Sequence, residues 1–459
     1  DQLINPGDDN NLTPLHIAAL NGHLNVVEYL SKKVNDPMVE SDDGFSPYLL
    51  AAADGHLNLV EYYVDQILTD DEILKENSNG LTVLHIAARH GSLPILEYFG
   101  TRLENINPAA GDINFTPLHI AAGVGPLNAV IYISENVKDL AVRDIFGKTP
   151  LHWAVKFNRL SVVKYLSQTM SDIAVIDIEG DTPFHYAASL GHLRIVNYYL
   201  EETNIDPAVK GLDGSTAIHL AAIFGHLTVV QAISKYLTNI NPGNNKKESP
   251  LHLASRNGHS FIVEYIVDRL EDSRTKDYQN ETSDEMNQNI DINPGDINGV
   301  TPLHISAKEG HLPIVQYFVG RLEDINPQDK DLTTPLHLAS QNGHLDIVKI
   351  LTKHMTNISP MTTKKVAPIH LAAWVGHLHI VEYLAERLED FNPASGDFWN
   401  YWTPLHMASR NGHLSIVKYL SGKVIDPTIQ DKNGKTPFDL AFENDHLDVS
   451  TFLEQFNSK

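Results

Sequence analysis

A seven-residue phrase, Thr13-Pro14-Leu15-His16-Ile17-Ala18-Ala19, constrains this chain more than any other feature, because it recurs twelve more times. The copies begin at Ser46, Thr82, Thr116, Thr149, Thr182, Thr216, Ser249, Thr301, Thr334, Ala367, Thr403 and Thr436. Their spacings are 33, 36, 34, 33, 33, 34, 33, 52, 33, 33, 36 and 33 residues. Self-similarity at one period means that the 459 residues do not divide into a few globular domains. Each period is instead one small unit that buries its apolar face only against its neighbours.

The residue types predict the local structure of that unit. Thr13 can accept from unpaired amides at a helix start, and Pro14 fits the first helical position. Leu15 points inward, while Ala18 and Ala19 let a neighbouring helix approach. Gly22 ends this helix by taking the left-handed conformation. A second helix follows over Leu24 to Leu30, with apolar residues at helical spacing. Ile-Asn-Pro or Ile-Asp-Pro elements, as at Ile106-Asn107-Pro108 and Ile425-Asp426-Pro427, stop the second helix. Asp and Gly in Asp144-Ile145-Phe146-Gly147 suit a tight finger-like turn before the next copy.

A 33-residue period bearing this phrase resembles the ankyrin-repeat family, and the resemblance covers essentially the whole chain. It implies an all-α solenoid of 13 tandem helix pairs with β-turn fingers and a curved concave groove. The repeats are expected at 8–40, 41–76, 77–110, 111–143, 144–176, 177–210, 211–243, 244–295, 296–328, 329–361, 362–397, 398–430 and 431–459. Residues 1–7, with Ile4-Asn5-Pro6, resemble the tail of a truncated upstream repeat, so the natural protein is expected to extend before Asp1. The last copy has Asp439 for the phrase histidine and Ser450 where the first has Val27, as expected of a C-terminal cap.

Composition removes several function classes. Lysine plus arginine number 34 against 58 acidic residues, a net charge of −24 that repels nucleic acid and anionic membranes. No apolar run approaches the roughly 18 residues of a membrane span, so membrane insertion is not expected. The chain lacks cysteine, which excludes disulfides, thiolate metal sites and cysteine nucleophiles. Of 24 histidines, eleven stand in the phrase and ten at the second-helix start, spread at the repeat period rather than clustered. The family resemblance implies structural hydrogen bonds for both sets, and neither a metal nor a cofactor is expected. A tyrosine stripe, Tyr29, Tyr62, Tyr98, Tyr132, Tyr165, Tyr198, Tyr265, Tyr317, Tyr383 and Tyr419, reads as packing between repeats. No Gly-rich phosphate loop or nucleophile elbow occurs, so the chain is expected to be a binding scaffold and not an enzyme.

The family resemblance places partners on the concave face, built from finger tips and the two variable residues ending each first helix. Most of those pairs are polar here, such as Arg256-Asn257 and Arg410-Asn411. Repeats four to seven carry Val124, Phe157, Leu190 and Phe224 instead, with Ile145 and Phe146 on a finger between them. Repeat eleven adds Trp374, and the next finger reads Phe398-Trp399-Asn400-Tyr401-Trp402. Contiguous exposed apolar patches mark contact surfaces. The candidate partner-binding residues are therefore Val124, Phe157, Leu190, Phe224, Ile145, Phe146, Trp374, Phe398, Trp399, Tyr401 and Trp402, although one or two rings of the aromatic finger can instead anchor their loop.

The 52-residue spacing holds 19 extra residues, Ser273 to Asp291, which are polar and acidic and read as a solvated loop. The expected function is recognition of a protein or peptide through the groove, by a monomer or part of a larger chain, in the cytoplasm. A rival reading makes this the ankyrin portion of a larger secreted latrotoxin-like toxin or bacterial effector, for which secretion replaces the cytoplasm. A third makes it the cytosolic arm of a channel, against which the terminal cap argues.

Overall fold

A computed structural model describes residues 5–277 and 291–457. Among the described residues are 26 α-helices in thirteen pairs, one short 3-10 helix and no β-strand, an all-α array of repeats. The chain divides into two compact units. The first comprises residues 1–221 with 231–237, and the second residues 222–230 with 238–459.

The phrase builds each first helix through a reciprocal cap. In the first unit, Pro14–Leu20 starts at Thr13, whose hydroxyl accepts from the His16 amide. His16 Nδ1 accepts in turn from the Thr13 amide at 3.0 Å. The histidine thus takes the place that Glu or Gln fills in the usual capping box. Its other nitrogen, Nε2, donates to the Phe45 carbonyl of the following finger at 3.0 Å. His85, His119 and His152 repeat both bonds toward Phe115, Lys148 and Asp181. In the second unit His252, His304, His337 and His406 do the same. Asp439 keeps the cap alone, accepting from the Thr436 amide and hydroxyl at 2.8 and 2.7 Å.

The second set of histidines bonds backwards. His56 Nε2 donates to the Leu20 carbonyl in the first unit, and His311 to the Arg256 carbonyl in the second. Each ring lies against the glycine ending the preceding first helix. At Gly258, with φ +74°, a Cβ would sit 2.7 Å from His311, so glycine is required there for conformation and for space. The Asn of the Ile-Asn-Pro element also caps the next first helix: Asn107 Oδ1 accepts from Leu118 N at 2.8 Å, and Asn293 from Leu303.

Leu15, Leu118, Leu251 and Leu405, one per repeat, are fully buried with the phrase alanines. Each such leucine contributes about 2 kcal/mol of apolar burial. The tyrosine stripe reaches back to the preceding repeat: Tyr62 meets Ser31 Oγ at 2.8 Å and Tyr383 meets Thr352 Oγ1 at 2.9 Å. Tyr29 is the exception and is exposed.

The expected loop from Ser273 needs correction at its start. The second helix of repeat eight runs over Ser260–Asp277, so helix continues five residues into the stretch read as loop. Polar composition reports solvation, and Ser, Arg, Thr, Lys and Asp can all lie on a solvated helix. The remainder, 278–290, lies outside the described residues.

Candidate partner-binding surfaces

Most fingers are turns closed by an Asp or Asn side chain. Asp144 Oδ1 accepts the amides of Phe146 and Lys148 at 2.9 and 2.8 Å, and Gly147 completes the turn at φ +73°. Successive fingers join tip to tip: Ile145 N donates to the Ile113 carbonyl, and Ile178 N to the Phe146 carbonyl. In the second unit Lys330 N bonds Asn298 O, and Lys432 N bonds Asn400 O. This ladder holds Ile145 and Phe146 with their side chains exposed. Val124, Phe157 and Leu190 each stand directly after the last residue of a first helix, and all three are exposed by more than two fifths.

In the first unit two of these residues meet in a cleft of about 460 Å³, between the fingers and first helices of repeats three to five. Val124 and Phe157 line it together with Phe115, Ile120, Gly123 and Trp153. Arg89 and Asp112 supply charge at its edge. The wall is an aromatic ladder. Trp153 meets Phe115 edge-on with centroids 4.4 Å apart and stacks on Phe157 at 5.7 Å. The Trp153 indole N–H donates to Asp144 Oδ2 at 3.0 Å, tying the ladder to the finger. Gly123 stands where other repeats carry a longer residue, and a Cβ there would press on the Phe157 ring at 3.2 Å. In repeat five Arg159 replaces the second-helix histidine and donates to the Gly123 and Gly125 carbonyls at 3.2 and 2.6 Å, fixing the backbone on both sides of Val124. His119, behind Phe115, is held below its ordinary pKa by burial, so the cleft is backed by a neutral ring.

Leu190, Ile145 and Phe146 lie outside this cleft. Trp153, Phe115 and Ile120 escaped the sequence reading, because Trp153 and Ile120 sit inside the phrase and read as core. The available signal was an aromatic residue at a phrase position that most copies fill with Ile, Leu or Met.

In the second unit Phe224 is exposed. The aromatic finger divides into two groups. Phe398 and Tyr401 are exposed, at 68% and 45%. Trp402 is only 5% exposed and packs with Met407 and Leu440, so its assignment as a partner-contacting residue is corrected: it is core. Its indole N–H donates to Asp431 Oδ2 at 2.8 Å, which locks the ring inward. Trp374 and Trp399 pack on it half-buried, with centroids 6.3 and 6.0 Å from Trp402. The finger carries a short helix, Asp397–Trp399, and then two left-handed residues, Asn400 and Tyr401, at φ +53° and +58°. The longer finger also changes its anchor, since His370 Nε2 bonds the Pro393 carbonyl, 23 residues ahead instead of the usual 29.

Among the described residues no three His, Asp or Glu side chains gather to hold a metal ion, and no helix is long and apolar enough to cross a membrane. A family model for ankyrin repeats (3 copies) matches residues 1–67, 63–144, 118–211, 184–279, 278–364, 303–395 and 369–457, together nearly the whole length. No curated protein matches the chain.

Proposed function

Because this chain belongs to the ankyrin-repeat family, whose repeats are protein–protein interaction modules, we propose that it is a non-enzymatic scaffold that binds a protein or peptide through its fingers and first-helix ends. The observation that carries the reading is the repeat three-to-five cleft, where Val124 and Phe157 stand exposed beside the Trp153 ladder. Rings held open to water by hydrogen-bonded fingers contribute little to folding and are suited to be buried by a partner. Leu190, Ile145 and Phe146 extend the apolar surface within the first unit, and Phe224 is assigned the same role in the second.

The test places a photo-crosslinking residue at position 124 and, as a control, at half-exposed Lys164 on a second helix. Crosslinked adducts should form from 124 and be abolished by Phe157→Glu, with helical signal and melting near wild type. Equal labelling from both positions, or adducts that survive Phe157→Glu, would refute this face as the binding surface. A buried aromatic hot spot is worth roughly 2 kcal/mol or more, about thirtyfold in affinity.

A further inference from the structure

The aromatic finger of repeat twelve carries a charge imbalance that comparison between repeats exposes. In repeat eight Arg256, at the end of the first helix, is ion-paired with Glu248 eight residues earlier. In repeat thirteen the signs are exchanged, and Glu443 pairs with Lys435 at the same separation. The same two places in repeat twelve hold Arg410 and Trp402. An indole cannot neutralise a guanidinium. Arg410 lies over the Trp402 ring, 5.0 Å from its centroid, and 6.0 Å from that of Trp374. Among the described residues it has no carboxylate within ion-pair distance.

Two more unpaired cations flank the finger. Lys364 sits 4.2 Å from the centroid of the exposed Phe398 ring, and Lys365 adjoins it. Lys432 is neutralised by Asp397. The nearby Asp431 carboxylate is buried and already accepts the Trp402 indole N–H and the amides of Asn433 and Lys435. Three uncompensated cations therefore surround a platform of Phe398, Trp399 and Tyr401, on a chain whose net charge is −24. The platform is pre-formed, because Trp402 is fixed in the core and Trp399 and Trp374 pack upon it.

We propose that this finger is a binding site for an acidic peptide segment, in which Asp or Glu side chains flank a bulky apolar residue. The apolar residue would lie on Phe398 and Trp399, and a carboxylate would pair with the planar Arg410 fork beside it. Cations that already lie over aromatic rings lose little further hydration when a carboxylate joins them. A short peptide with a few local negative charges can approach such an island. A nucleic-acid polyanion meets the repulsion of the whole chain. This inference rests on the reading of finger faces as binding surfaces, and it concerns only the second unit.

The test selects random short peptides displayed on phage against the full chain, then titrates the winners by tryptophan emission. Three of the four tryptophans, Trp374, Trp399 and Trp402, lie at this site, so its occupation should be visible directly. The expected winners are rich in Asp and Glu next to Phe, Trp or Leu. They should bind about tenfold or more weakly to Arg410→Glu and to the exposed pair Lys364→Glu with Lys365→Glu, and less tightly as salt rises. The lysine pair carries the test if Arg410→Glu disturbs folding. Winners without an acidic excess, or with affinities unchanged in the lysine pair variant, overturn the proposal. So does an oligo-dT strand that displaces them at equal concentration, since the site would then take single-stranded nucleic acid. Winners lost on Val124→Glu with Phe157→Glu but indifferent to Arg410→Glu would uphold the array as a binder and remove this site. Winners that need Arg410 while that double variant leaves all capture unchanged would do the reverse.

Discussion

Mild acid should loosen this protein through its phrase histidines before its ordinary carboxylates are protonated. Burial holds His85 and His152 in the first unit, and His337, His370 and His406 in the second, at pKa values of about 4 against an ordinary 6.5. The geometry supplies a second reason. Nδ1 accepts from the cap amide and Nε2 donates to the next finger, so a proton on Nδ1 would set two donors face to face. Between pH 6.5 and pH 4 the unfolded chain therefore takes up protons that the folded rings refuse. The stability is fully present above pH 6.5 and is lost as the pH falls toward 4. At pH 5 each of the five sites costs about 2 kcal/mol, by linkage from those values. Whole domains are stable by only about 5–15 kcal/mol, so the sum is a large fraction.

The two units should respond unequally. In the first, burial raises Asp181 to about 6, and this carboxyl gains protons on folding in the same range, offsetting part of the histidine loss. Burial lowers five phrase histidines in each unit, His16, His85, His119, His152 and His185 against His252, His304, His337, His370 and His406, so without an Asp181 counterpart the second unit's transition should fall faster. Urea unfolding followed by circular dichroism at pH 7.5, 6.5, 5.8 and 5.0 is the assay, at constant ionic strength. Protein must be dilute, because the isoelectric point is near 5.3 and low net charge favours association. Replacing His337 by Gln, which can accept from the Thr334 amide and donate to the Val366 carbonyl without titrating, should remove about 2 kcal/mol of the pH 5 loss. A midpoint flat from pH 7.5 to 5.0, or an unchanged slope in His337→Gln, would refute the argument.

Trp402→Ala should lower stability by about 3–5 kcal/mol, as loss of a buried indole does, and Tyr401→Ala by no more than about 0.5 kcal/mol; equal effects on thermal melting would show that the finger is not divided as described. Gly258→Ala should cost about 1–2 kcal/mol from left-handed strain alone, and more from displacing His311, so a melting temperature unchanged by this substitution would contradict the glycine's dual role. Excising Ser273 to Asp291 should leave melting almost unchanged. The contacts that hold Arg321 come from Asp268 and Glu271, before the cut, and loop-closure entropy changes by only about 0.6 kcal/mol per doubling of length. Unfolding on excision would make the extended helix structural.

What could be read from the chain was whatever is counted from a fixed point. Thr, Pro, Leu and the alanines of the phrase do the same task in copy after copy, so the helix pairs and their core were legible before any geometry. The histidines were legible as structural, though their capping of the first helix was not, because that task usually belongs to Glu or Gln. The finger of repeat twelve shows where counting fails. With three extra residues it has no period of its own, and a run of four rings in five residues does not say which face inward. Counting back from Thr403 resolves it. Trp402 precedes the cap as Phe115 precedes Thr116, and both rings sit against a first helix. The left-handed turns at Asn400 and Tyr401 absorb the surplus residues and leave Phe398 and Tyr401 outside. Trp153 was missed for the opposite reason, since its place in the phrase was trusted over its size. An indole at a position built for isoleucine cannot be swallowed by the same helix pair, so part of it stands in the cleft wall, where Gly123 leaves the space. A side chain too large for its place in the phrase thus reaches the same cleft as Val124 and Phe157, the apolar residues in variable places.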